Sequence, residues 1–151
     1  MVAIDFGRRS ADYARFRPGF PASFYERLAE VCSLDGIDAL DVGTGPGVVA
    51  LEIAARGARV VGVDVAANQI AEATRLSGER GLAGRARFFV ARAEATGLPA
   101  ASFDLVTACQ CWAWLDHGAA MSEAMRVLRP GGRFVVAHFN YLAAASAASR
   151  A

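Results

Sequence analysis

The residues best suited to chemistry lie in one stretch, Ala39 to Ala50, which reads ALDVGTGPGVVA. Asp41 stands two positions ahead of Gly43, and Gly43, Gly45 and Gly47 alternate with Thr44 and Pro46. Glycine has no Cβ, so it tolerates positive φ and lets a ligand approach the backbone closely. An apolar strand enters the turn and a helix leaves it, aiming unpaired N–H groups and a positive dipole end across it. This combination is a cradle for a nucleotide-like ligand. A second carboxylate, Asp64, closes the next apolar run, Arg59 to Asp64 (RVVGVD). At such a strand end one two-oxygen acceptor suits the two hydroxyl donors of a ribose.

The glycine spacing narrows the choice of ligand. The dinucleotide fingerprint, G-x-G-x-x-G/A, needs a small third residue to pack the helix on the strand. Counted from Gly43, that position holds Val48. The run is instead D-x-G-x-G-x-G, which resembles the first motif of class I methyltransferases that use S-adenosylmethionine. Two later phrases carry the same resemblance, SFDLVTACQCWAWLD at 102–116 and VLRPGGRFVV at 127–136. The likeness is to the small-molecule group of that family and extends over nearly all of residues 10–142.

The resemblance implies a role for each matching residue. Asp41 would anchor the amino-acid end of the cofactor, while Gly43, Thr44, Gly45 and Gly47 admit it and Asp64, with Val65, takes the ribose. The adenine would meet the backbone of Ala93 and Glu94, with Gln110 at the end of the fourth strand. Trp112 and Trp114 would face the substrate pocket. Tyr13 and Arg17 belong to an arm, residues 1–20, expected to close over the site as a lid. Two departures stand out. Arg92 replaces the commoner Asp, and Ala113 replaces the histidine of a His-Trp pair. His117 is then the nearest candidate base, with Tyr13 the other catalytic candidate, and no metal is expected. Two other readings compete: a non-catalytic member of the fold acting as an interaction or regulatory protein or truncated remnant, and a nicotinamide-dependent oxidoreductase. Val48 and the acidic lead-in oppose the latter.

Hydrophobic periodicity supplies the elements that hold these residues. Helices are expected over Pro21 to Leu34, Val48 to Arg56, Ala67 to Arg80 and Gly118 to Leu128. Strands are expected over Ile37 to Val42, Arg59 to Val65, Arg87 to Ala91, Phe103 to Ala108 and Arg133 to Phe139, with the Arg129–Gly132 breaker ending the last helix. The alternation gives an α/β domain with right-handed crossovers over residues 21–142. Together with the resemblance it predicts a Rossmann-like doubly wound parallel sheet of five strands, order 3-2-1-4-5, with helices on both faces. Relatives continue with two more strands, whereas residues 143–151 read AAASAASRA, a low-complexity tail without core-forming capacity. The fifth strand would then offer an open edge, inviting a homodimer.

Bulk composition limits the partners. The chain has 151 residues, 54% of them apolar, and 16 basic against 15 acidic side chains, for a net charge of +1. Every basic side chain other than histidine is arginine. No electrostatic footprint for nucleic acid or an anionic membrane is present. No apolar run reaches the length of a membrane span, and the N-terminus has no leader-like core. Three cysteines, Cys32, Cys109 and Cys111, lack metal-ligand spacing and fit a reduced, cytoplasmic setting as small buried residues.

Overall fold

The computed structural model describes residues 19–139. Helix α1 (Ala22–Val31) precedes strand β1 (Asp38–Val42), which leads through the glycine turn into α2 (Val48–Ala55). Strand β2 (Arg59–Asp64), helix α3 (Ala67–Glu79) and strand β3 (Ala86–Val90) follow, then β4 (Phe103–Cys109), a 3₁₀ turn (Trp112–Trp114), α4 (His117–Val127) and β5 (Leu128–Ala137). The five strands form one sheet in the order β3-β2-β1-β4-β5. Every neighbouring pair is parallel, as the alternation of strands and helices predicts.

Alternation along the strands divides the interior in two. Ala39, Val60, Phe88 and Leu105 point to one face, where Leu28 of α1, Ile53 of α2 and Ala73 of α3 cover them. Leu40, Val42, Val63, Val106 and Ala108 point to the other, covered by Ala124 and Val127 of α4. A strand between two helical layers buries both sets, which is why β1 and β4 read as nearly continuous apolar runs. The chain changes faces after β3, so the carboxyl ends of β1 and β4 flank the crevice where open α/β sheets hold ligands.

Several boundaries differ from the sequence reading. Helix α1 stops at Val31, not Leu34, because Leu34 turns inward to 3% exposure and the chain reverses at Gly36, φ 75°. Val65 lies beyond the end of β2. Strand β5 begins at Leu128, five residues before the expected start, so the Arg129–Gly132 segment is a bulge within the strand and not a linker. Arg129 makes this worthwhile: its guanidinium donates to Asp104 Oδ2 at 2.7 Å and to Asp38 Oδ2 at 2.9 Å. Arg59 Nε donates to the other Asp38 oxygen at 2.7 Å. This network ties β1, β2, β4 and β5 together at the end of the sheet opposite the crevice. The arm up to residue 18, with Tyr13 and Arg17, and the tail at 143–151 lie outside the described residues. Among the described residues β5 is an edge strand, and no helix is long and apolar enough to cross a membrane.

Candidate functional site

Backbone hydrogen bonds and three left-handed glycines fix the cradle. Thr44 N–H donates to Val63 O at 3.0 Å, tying the turn to β2, and Gly47 N–H donates to Thr44 O at 3.0 Å. Gly43, Gly45 and Gly47 all have positive φ, at 61°, 53° and 80°. Their uses differ. A Cβ on Gly45 would meet nothing within 4 Å, so that position is open space above the turn. A Cβ on Gly43 would lie 2.6 Å from the Cβ of Cys111, so this glycine admits the segment just after β4. One on Gly47 would lie 3.1 Å from both Ala73 and the Phe88 ring, so its role is packing α2 against the sheet, a correction to its expected part in admitting a ligand.

The two carboxylates have separate tasks. Asp64 Oδ2 accepts from Gly45 N–H and Oδ1 from Ala66 N–H, both at 2.9 Å, so this side chain clamps the glycine turn to the start of α3. Each oxygen keeps a second acceptor site, and the side chain lines the crevice. Asp41 is deeper, at 2% exposure. Its Oδ1 accepts from Thr107 Oγ1 at 2.6 Å and its Oδ2 from Thr44 Oγ1 at 2.7 Å. Burial pushes its carboxyl up to about 6; the two hydroxyl bonds oppose the shift and the charge of Asp64 adds to it.

A cleft of about 560 Å³ opens over the carboxyl ends of the strands. Gly43, Gly45, Asp64, Val65, Ala93, Glu94, Gln110 and Trp114 line it. A smaller cavity of about 80 Å³ continues past Gly43, Gly45 and Gln110 to Asp41, Thr44 and Phe20. The sequence reading thus named residues on both cavities. Gln110 sits between them with φ 63°, unusual for a residue with a side chain. Its amide Nε2 donates to Phe139 O at 3.2 Å. Arg92 reaches the cleft wall with a largely exposed side chain that leans on Glu94 at 3.4 Å.

Trp112 and His117, like Gly47, line neither cavity. In the 3₁₀ turn Trp112 and Trp114 point apart, and only Trp114 faces the cleft. Trp112 packs on Phe134, with ring centroids 5.5 Å apart, and stacks on His117 at 4.7 Å. His117 Nε2 lies 3.0 Å from Trp112 O, at the first turn of α4, where it holds the tryptophan in place away from the lining. Sequence reasoning missed Cys109, Cys111 and His138, which do line the cleft. The strand-end position of Cys109 and Cys111 was the available signal. These thiols are half-buried and not core residues as expected. Burial pushes the Cys111 thiol up to about 12 and that of Cys109 higher still, so neither is a ready thiolate. Among the described residues no group of three or more metal-ligating side chains converges.

Comparison with known proteins agrees with this arrangement. Residues 40–136 match the family model described as "Methyltransferase domain". The demethylmenaquinone methyltransferase of Thermus thermophilus is 43% identical over 103 residues, covering 66% of this chain and 46% of its own length. The solved structure of the [4+2]-cyclase SpnF superimposes with TM-score 0.70 at 34% identity, covering 76% of this chain and 43% of that one. A geranyl diphosphate C-methyltransferase from Streptomyces coelicolor, solved with S-adenosyl-L-homocysteine, shares the fold with TM-score 0.71 at 23% identity, covering 78% and 44%. The chain spans about half the length of the curated relatives it matches.

The cleft itself fits S-adenosylmethionine. Its volume lies in the range of small-ligand sites. Asp64 retains acceptor sites for a diol, Gly45 leaves open space, and Asp41 supplies a carboxylate beside the adjoining cavity. The oxidoreductase reading loses its ground, since neither the glycine spacing nor the matched family supports it. With the family model running from the middle of β1 almost to the end of β5, this chain belongs to the class I S-adenosylmethionine-dependent methyltransferases.

Proposed function

We propose that the cleft binds S-adenosylmethionine and that the chain takes part in transferring its methyl group to an apolar small-molecule acceptor. The observation that carries this reading is that Asp41 and Asp64, from two adjacent strands, stand on two cavities joined through the same glycine turn. Asp64 would accept from the ribose hydroxyls, and Asp41 would face the ammonium of the amino-acid end. When bound, S-adenosylmethionine supplies an electrophilic methyl on a positively charged sulfur. The protein's own part is then mostly to position the acceptor and exclude water. Trp114 and Leu115 give the cleft an apolar wall, and a π face beside a cation is favourable by about 0.5–2 kcal/mol. The relative from Thermus thermophilus is named for an apolar acceptor, which supports the same class here.

Calorimetric titration with S-adenosylmethionine and S-adenosylhomocysteine, with NAD as control, tests the site. Micromolar binding of the adenosyl ligands alone is expected, with Asp64→Ala weakening it tenfold or more, about 1.4 kcal/mol. Unchanged affinity in that variant would remove Asp64 from the site. Methyl transfer is read separately, with labelled S-adenosylmethionine and a panel of apolar acceptors, because the fold also serves a protein named as a cyclase.

A further inference from the structure

We propose that Thr107 is a positioning residue that keeps the Asp41 carboxylate aimed and charged for the cofactor's ammonium, which makes cofactor binding pH-gated. The inference rests on the reading of the cleft as an S-adenosylmethionine site. Parallel pairing of β1 with β4 sets Thr107 directly beside Asp41. Thr107 is fully buried, and its hydroxyl donates to Asp41 Oδ1 at 2.6 Å, closer than the alternative acceptor, Leu40 O, at 3.5 Å. Thr44 holds the other oxygen from the turn. The carboxylate therefore cannot rotate without breaking a bond on one side or the other.

Among the described residues Asp41 also lacks the usual companion of a buried charge. Its electrostatic surroundings are the Asp64 carboxylate at the end of β2, the Cys109 and Cys111 thiols of and beyond β4, and the Tyr25 phenol of α1. None of these is a cation, and no described arginine takes part in its titration. An uncompensated buried carboxylate is costly, and two neutral hydroxyl donors only partly replace water. A ligand ammonium arriving through the adjoining cavity would supply the missing charge. Hydrogen bonds to the charged form are what keep such a group ionised near neutrality, so Thr107 decides how much of the protein is ready to bind.

The test uses the whole chain and three variants, Thr107→Val, Thr107→Ala and Thr107→Ser. The Asp41 carboxyl carbon is followed by NMR across pH 5–9 without ligand, and S-adenosylhomocysteine binding is measured by calorimetry over the same range. In the wild type the midpoint should lie near 6 and affinity should fall below it. Losing the hydroxyl in the Val or Ala variant should raise the midpoint by about one unit and weaken binding at pH 6 about fivefold. Thr107→Ser should restore both. 5′-Methylthioadenosine, which lacks the amino-acid end, should bind every variant alike. A folded Val or Ala variant with an unmoved Asp41 midpoint overturns the proposal. Absence of S-adenosylhomocysteine binding in the wild type would instead overturn the cofactor reading, while the ligand-free titration still decides the role of Thr107.

Discussion

Replacing Asp41 by Asn should make the protein more stable and its cofactor site worse. Burial raises this carboxyl from 3.8 to about 6. The native state then holds its proton to a higher pH than the unfolded chain does. Stability is therefore lost as pH rises from about 4 through 6, and the full cost is present above that. The shift of about two units corresponds to roughly 3 kcal/mol. Asparagine resembles the protonated acid in shape and charge, and its amide can still meet the Thr44 and Thr107 hydroxyls. Asp41→Asn should gain up to about 3 kcal/mol at pH 7.5 and nothing near pH 4, read by urea unfolding at both values. Affinity for S-adenosylhomocysteine at pH 7.5 should fall at least tenfold, about 1.4 kcal/mol. A variant that is less stable at pH 7.5, or whose stability follows the wild type at every pH, would refute the reasoning about the buried charge. Unchanged affinity would refute the role as anchor.

Two further substitutions probe the frame around the site. Gly62→Ala in β2 should cost about 1–3 kcal/mol in denaturant unfolding, because the added Cβ would lie 2.6 Å from the Phe88 ring and 2.9 Å from Thr44 Oγ1. Since Thr44 also holds Asp41, ligand affinity should fall with it. Glu123 of α4 is held down to about 2 by the Arg126 guanidinium and by the Thr96 hydroxyl and N–H, against a burial penalty. Its contribution, of order 3 kcal/mol, is present above the ordinary glutamate range and is lost as pH falls toward 2. Glu123→Gln should therefore unfold about 2–3 kcal/mol more easily at pH 7, and the two proteins should converge in acid.

The parts of the site that were legible in the sequence are those whose chemistry is local. Alternating glycines after an acid, and an acid closing the next apolar run, state their geometry within a few residues, and Asp41, Gly45 and Asp64 stand where that grammar puts them. The parallel, helix-covered sheet followed from the alternation of strand and helix, and its strand order from the family resemblance. What could not be read depends on residues far apart in the chain. Thr107 is one polar residue in an apolar strand, and only its pairing with β1 gives it a partner 66 positions away. Gly47 and Gly45 are identical in sequence terms, yet one faces a ring and the other faces open space. Trp112 and Trp114 are two residues apart, and the 3₁₀ turn sends them to different neighbours. The β5 bulge was hidden because Pro and Gly read as punctuation, whereas Arg129 turns the same residues into part of a strand.

The Phe88 ring occupies the room that Cβ atoms would need at both Gly47 and Gly62, two positions on different elements. None of the three can drift freely. An alanine at 62 presses on the ring at 2.6 Å and one at 47 at 3.1 Å, where the positive φ adds strain of its own, and trimming the phenylalanine first leaves a void between α2, α3 and the sheet. The order in which substitutions accumulate therefore matters at 62, where a smaller residue at 88 eases the way for a side chain, while the φ of 80° holds 47 to glycine whatever stands at 88. Descendants of this sequence should change at 62 and 88 together, a historical constraint imposed by a single ring that lines neither cavity.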